Sequence, residues 1–152
     1  MRVVITGGTS GIGKSAVNLF IKEGWQVMFV GTNQDVGQSM LSEFHSQGYK
    51  EIYFCKCDIT KDQDVKKLFD YTMEKMGGTD SLINNAGIFI SGMLHETKEE
   101  DWNRIFDVDV KSIYLTSKYF IPYMIKNKGG TIVNTASVSG MLGDYNRSEE
   151  RR

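Results

Sequence analysis

The stretch ITGGTSGIGKSA, residues 5–16, satisfies two phosphate-binding patterns at once. Taken from Gly8, GTSGIGKS fits GxxxxGK[ST] and puts Lys14 and Ser15 in the lysine and magnesium-ligand places of a P-loop. Taken from Thr6, TGGTSGIG is a TGxxxGxG turn of the kind that cradles the pyrophosphate of a dinucleotide. One pattern predicts a nucleoside triphosphatase and the other an oxidoreductase, so the rest of the chain has to decide.

At 152 residues the chain has the length of one domain, enough to bury roughly 70% of the surface its unfolded form exposes. Eighteen basic and nineteen acidic residues are interspersed for a formal charge of -1, which advertises no nucleic-acid partner. No stretch approaches the ~20 apolar residues of a membrane span, and Met1 leads almost directly into the apolar run Val3–Ile5. The expectation is a cytoplasmic protein without signal peptide or membrane partner. Cys55 and Cys57 stand two apart and share a strand face, a spacing that would strain a disulfide, and with His45 and His95 elsewhere they make no metal site. They read as reduced structural thiols.

Short apolar runs alternate with longer amphipathic stretches, the pattern of βαβ units on a parallel sheet. Strands are expected at Val3–Ile5, Gln26–Val30, Glu51–Cys55, Ser81–Ile83 and Thr131–Asn134, and helices at Ile12–Glu23, Asp35–Gln47, Lys61–Met76 and Lys98–Lys126. Thr97 and Glu100 have the spacing of a capping box for the last helix, and Pro122 is expected to kink or shorten it. The fold class is therefore α/β, a doubly wound parallel sheet of about five strands, Rossmann-like. On such sheets ligands bind beyond the carboxyl ends of the strands, where the opening glycine motif lies. Its glycines allow a tight turn, and the helix that follows offers N–H groups to phosphate.

A P-loop enzyme also needs an acidic residue closing an apolar strand to hold magnesium. Only Asp58 is available, after a strand interrupted by Lys56. The dinucleotide pattern finds more support: NNAG, residues 84–87, follows the fourth strand, and IVNTAS, residues 132–137, overlaps the end of the fifth and runs on past it. With TGxxxGxG and Asp58 these make four motifs in register. In that order and spacing the chain resembles the short-chain dehydrogenase/reductase family, including its 3-oxoacyl-carrier-protein reductase-like members. The resemblance reaches from Val3 to about Ser148, so residues 1–148 form the dinucleotide-binding domain and residues 149–152 a charged tail.

The resemblance implies a hydride exchange between nicotinamide and a small carbonyl or alcohol. Gly7, Gly11 and Gly13 match the glycine turn, with Ser10 and Ile12 contacting phosphates and ribose. Asp58 matches the residue that meets the adenine amino group, with Ile59 beside it, and Asn85, Ala86 and Gly87 match the segment bordering the cofactor. Strand-end asparagines such as Asn84 and Asn85 can also simply cap turns. At the end of the second strand Gly31 stands where an acidic residue would bind the ribose 2′-hydroxyl and repel a 2′-phosphate. Thr32 and Asn33 can donate to either group. The missing carboxylate favours NADP, with NAD left open.

Ser137 matches the serine that steadies the substrate oxygen; the weaker alternative is a hydroxyl that merely caps the strand end. Two departures follow. The family's relay asparagine falls at Asp109, and an ionised carboxylate cannot donate a hydrogen bond and adds negative charge. The family's tyrosine would fall at Glu150 in RSEERR, its lysine would lie past Arg152, and Tyr145 stands too early with no lysine four residues on. The expectation is an N-terminal reductase portion without the sixth and seventh strands, inactive by itself. The exposed strand edge and apolar helix face that result point to a homo-oligomer. The alternative is a non-catalytic dinucleotide-binding or interaction module.

Overall fold

The computed structural model describes residues 1–141. Five strands, β1 (Arg2–Ile5), β2 (Gln26–Gly31), β3 (Ile52–Lys56), β4 (Ser81–Asn84) and β5 (Thr131–Asn134), form one parallel sheet in the order β3-β2-β1-β4-β5. Helices α1 (Gly11–Lys22), α2 (Gln34–Ser46) and α3 (Asp62–Met76) fill the first three crossovers. The last crossover is a continuous rod made of α4 (Glu99–Phe106), a π-helical turn (Asp107–Lys111) and α5 (Ser112–Lys126).

Alternate residues of the central strands face opposite layers, and both layers are buried, which is why these strands read as unbroken apolar runs. On one face Val3, Ile5, Val27, Phe29, Ile52 and Phe54 pack on Val17 and Ile21 of α1 and on Met40 and Phe44 of α2. On the other, Val4, Met28, Val30 and Leu82 pack on Val65, Leu68 and Met76 of α3 and on Leu115, Phe120 and Met124 of α5. The sheet is doubly wound, as the alternation of elements implies. The chain runs outward from β1 to β3 and then crosses to β4, so strand order reverses between β1 and β4. Their carboxyl ends open the crevice where ligands of such sheets bind.

The rod departs from the sequence expectation in two ways. Thr97 does not cap it: its hydroxyl donates to the Met93 carbonyl at 3.0 Å, closing the 3₁₀ turn Leu94–Glu96, and α4 begins without a side-chain cap. Glu99, Glu100 and Asp101 instead place negative charge on its first turn. Pro122 does not end α5, which runs through it to Lys126. Pro122 is exposed, so water can satisfy the carbonyl left without a partner. The irregularity lies upstream, in the π turn.

β5 lies at one end of the sheet and is largely exposed. Along the rod Trp102, Phe106, Val110 and Tyr114, spaced by four, are also exposed, with Ile121 and Ile125 further on. Residues 142–152, including Tyr145, Glu150 and the charged tail, lie outside the described residues.

β1 and β4 are clamped at their amino ends by one ion pair. The Arg2 backbone N–H donates to Asp80 Oδ2 at 2.8 Å and its Nη2 to Oδ1 at 2.6 Å. The hydrogen bond from Arg2 outweighs the opposing effect of burial and holds the Asp80 carboxyl below its ordinary value of 3.8. A carboxyl whose folded pKa is depressed stabilises fully above its unfolded pKa and loses that contribution as pH falls through the folded one. Asp80→Asn is therefore expected to lower stability by about 1 kcal/mol at pH 7 after allowance for solvent screening. In urea titrations the difference from the parent should shrink below pH 3.8.

Candidate functional site

The site begins with the turn between β1 and α1. Gly7 has φ +64°, and a Cβ there would lie 2.8 Å from the Ala86 Cα. A Cβ on Gly13 would lie 2.1 Å from the Gly7 carbonyl oxygen and 2.6 Å from Asn85 Nδ2. Glycine is thus required where the turn folds on itself and on the segment after β4. Over Gly11 a Cβ would meet nothing within 4 Å, so the outer side of the turn is open. Ser10 gives α1 no side-chain cap, leaving the N–H groups of its first turn available to an anion.

Thr6, immediately after β1, joins the two sides of the crevice. Its Oγ1 accepts the Asn85 N–H at 3.0 Å and the Ala86 N–H at 3.1 Å, and Asn85 Nδ2 donates to the Thr6 carbonyl at 3.3 Å. Behind it Asn84 is 5% exposed. Its Oδ1 accepts from the Thr116 hydroxyl of α5 and its Nδ2 donates to Asn134 Oδ1 of β5, each at 2.8 Å. Asn84 is therefore a structural bracket joining three elements, while Asn85 faces the crevice. The contributions of Thr6, Thr116 and Asn134 had no sequence signal, because the partners are 32 to 80 residues apart.

A cleft of 850 Å³ opens above this floor. It brings together Gly7, Ser10, Gly11 and Ile12 from the turn, Thr32 from the end of β2, Asp58 and Ile59 from the end of β3, and Asn85, Ala86 and Gly87. Gly13 supports the turn from below, and Asn33 is a cap: its Oδ1 accepts the Val36 N–H at 3.1 Å at the start of α2. Neither lines the cleft. Lys14 and Ser15 do not line it either: both are exposed, and the Ser15 hydroxyl donates to the Gly11 carbonyl. The P-loop pattern therefore has no phosphate-facing lysine here.

Asp58 is fixed by its own turn. Its Oδ1 accepts from both the N–H and the hydroxyl of Thr60, and Lys61 lies 3.1 Å from Oδ2. Burial pushes this carboxyl up, but the Thr60 and Lys61 hydrogen bonds prevail and its pKa falls below the ordinary value. Cys57, on the cleft wall, and Cys55 are free thiols. Burial pushes them up to about 12 and about 11, so neither is a thiolate at neutral pH.

A second cavity of 470 Å³ lies between the segment after β4 and the rod, walled by Phe89, Ile90, Leu94, Trp102 and Phe106. Asp109 and Ser137 are its polar residues apart from Thr97. Asp109 sits in the π turn and its Oδ1 accepts the Ile88 N–H at 2.9 Å. Ser137 Oγ accepts the Ser139 N–H at 3.3 Å as the cap of the 3₁₀ turn Val138–Gly140. Tyr-x-x-x-Lys spacing occurs on helices as Tyr71/Lys75 and Tyr114/Lys118, but none of the four residues lines either cavity. Lys75 pairs with Glu74 and Lys118 with Asp62.

A family model described as short chain dehydrogenase matches residues 1–148. The 3-oxoacyl-[acyl-carrier-protein] reductase FabG of Chlamydia pneumoniae is 33% identical over 142 residues, covering 93% of this chain and 57% of the relative. A 7α-hydroxysteroid dehydrogenase solved with NADH and 7-oxoglycochenodeoxycholic acid superposes with a TM-score of 0.89 at 30% identity, covering 95% of this chain and 56% of that one. ElxO with NADP bound gives 0.88 at 32% identity, covering 95% and 58%. The chain spans about half the length of the curated relatives it matches. Among the described residues no helix is long and apolar enough to cross a membrane.

Replacing Thr6 by valine keeps the shape and leaves the Asn85 and Ala86 N–H groups without their acceptor. The expected loss is about 2–6 kcal/mol in urea denaturation, from two orphaned donors at about 1–3 each. Thr6→Ser retains the oxygen and should recover most of that loss.

Proposed function

The chain belongs to the short-chain dehydrogenase family, and from that membership we propose that it seats a nicotinamide dinucleotide for hydride exchange with a carbonyl or alcohol carbon. The observation that carries this reading is the 850 Å³ cleft at the strand-order reversal, with the open glycine turn on one wall and Asn85–Gly87 on another. When bound, the nicotinamide supplies or takes the hydride. The chain's own residues bind and orient. The first-turn N–H groups of α1 and Ser10 hold the pyrophosphate, Asp58 and Ile59 flank the adenine, and Thr32 lies beside the ribose, with Asn33 fixing the start of α2 behind it. Asn85, Ala86 and Gly87 border the nicotinamide. Ser137, which lines the apolar cavity, would donate to the substrate oxygen.

Asp109 acts through the backbone in this scheme. Its carboxylate holds the Ile88 N–H and so fixes the segment that follows NNAG. We favour NADP over NAD, because residue 31 offers no carboxylate and a side chain there would collide with Thr9, whose Cγ2 lies 2.7 Å from an added Cβ. The apolar stripe of the rod and the open β5 edge favour association with further copies of the chain. The free thiols fit a reducing compartment such as the cytoplasm.

Among the described residues neither cavity contains a tyrosine or a lysine, which favours a second reading: a module that binds dinucleotide without turnover. One titration separates the cases. Nicotinamide fluorescence of NADPH or NADH is expected to respond saturably to the 152-residue chain, whereas magnesium ATP should not compete. Saturation without carbonyl reduction identifies the module, and measurable reduction identifies a competent enzyme. Failure to bind either reduced dinucleotide would overturn both readings.

A further inference from the structure

We propose that a positive annexe beside the dinucleotide cleft, centred on Lys56, takes the 2′-phosphate of a phosphorylated dinucleotide and makes the chain selective for it. The inference rests on the dinucleotide reading above and adds residues that the glycine-turn pattern does not include. The annexe is a separate cavity of 440 Å³ lined by Thr32, Lys56, Asp58, Lys61, Asp64 and Lys67. It shares Thr32 and Asp58 with the main cleft, so it begins where an adenosine held between those residues would carry its ribose.

Three ammonium groups face two carboxylates there. Lys61 lies 3.1 Å from Asp58, and Lys67 lies 3.8 Å from Asp64. Lys56 is exposed and has no ion-pair partner among the described residues, so it carries the uncompensated charge. A phosphate monoester at neutral pH carries about 1.5–2 negative charges, and a charge-assisted hydrogen bond from an ammonium suits it.

Position makes Lys56 selective as well as attractive. In the parallel register it stands directly opposite Gly31, and the Cys57 N–H donates to the Gly31 carbonyl at 3.1 Å. A carboxylate at residue 31 would face this ammonium and cancel it. With glycine there, and Thr9 in the adjoining space, the charge stays free for a ligand. The same lysine has nothing to bind on an unphosphorylated ribose beyond a hydroxyl. The annexe therefore discriminates at the 2′ position while the rest of the cleft treats both dinucleotides alike.

The test is calorimetric titration of the full chain with NADPH and NADH, repeated for Lys56→Ala and Lys56→Arg, with thermal melting as the check on folding. Adenosine 2′,5′-bisphosphate and ADP serve as variant-independent probes on the parent chain. The parent is expected to bind NADPH about tenfold or more tighter than NADH, and the bisphosphate tighter than ADP. Lys56→Ala should remove most of that preference by weakening NADPH alone, and Lys56→Arg should keep it. Equal affinity of the parent for both dinucleotides, or a Lys56→Ala change that weakens both alike or neither, would overturn the inference while leaving dinucleotide binding intact. If the parent binds neither dinucleotide, the dinucleotide reading fails and this inference falls with it.

Discussion

The Thr6 hydroxyl is the joint on which the site depends. A doubly wound sheet opens a crevice beyond the carboxyl ends of the strands where its order reverses, here just past the paired strands β1 and β4. One oxygen accepts two N–H groups from the far side and thereby sets the distance between the glycine turn and the NNAG segment. Ala86 then packs on Gly7 closely enough to exclude any side chain there. The cleft is open because its floor is closed by hydrogen bonds rather than by bulk.

From that joint the two functional regions separate by chemistry. Toward the β3 side the walls are polar and charged, with Asp58 immobilised by Thr60 and Lys61 and the Lys56 annexe beyond it. On the rod side Glu100, Asn103, Arg104 and Asp107 line the main cleft, and the second cavity beside it has aromatic walls with Asp109 and Ser137 placed there. The π turn belongs to this division, since it carries Asp109 to the Ile88 N–H. Such turns commonly occur at functional positions.

Much of this was legible in the chain. The five strands lie within one residue of their expected bounds, because runs such as Val27–Val30 are buried on both faces and admit few alternatives. The glycine turn, Asp58, NNAG and Ser137 could be singled out because each sits at or just past a strand end, where periodicity stops and turn chemistry starts. Local rules failed where a distant or competing partner intervened. Thr97 has the spacing of a cap, but Met93 takes its hydroxyl. Asn33 caps α2 through its Oδ1, which the sequence did not indicate, and keeps its Nδ2 as a donor. Pro122 was expected to kink or shorten the helix, yet α5 is not cut short and runs through it to Lys126, since an exposed helix face tolerates one missing donor.

The sequence by itself determined the class of fold, the family and the place of the glycine turn, because those follow from periodicity and from glycines and motifs at fixed separations. Only the tertiary structure decided between the overlapping phosphate patterns on geometric grounds, by leaving Lys14 and Ser15 outside the cleft. It alone put Lys56 opposite Gly31, Thr6 under Asn85 and Asp109 on the Ile88 N–H. The physical reason is the same in each case. Parallel pairing and crossover helices join residues far apart in the chain, and what a charged or polar group does is set by the partners that packing brings to it.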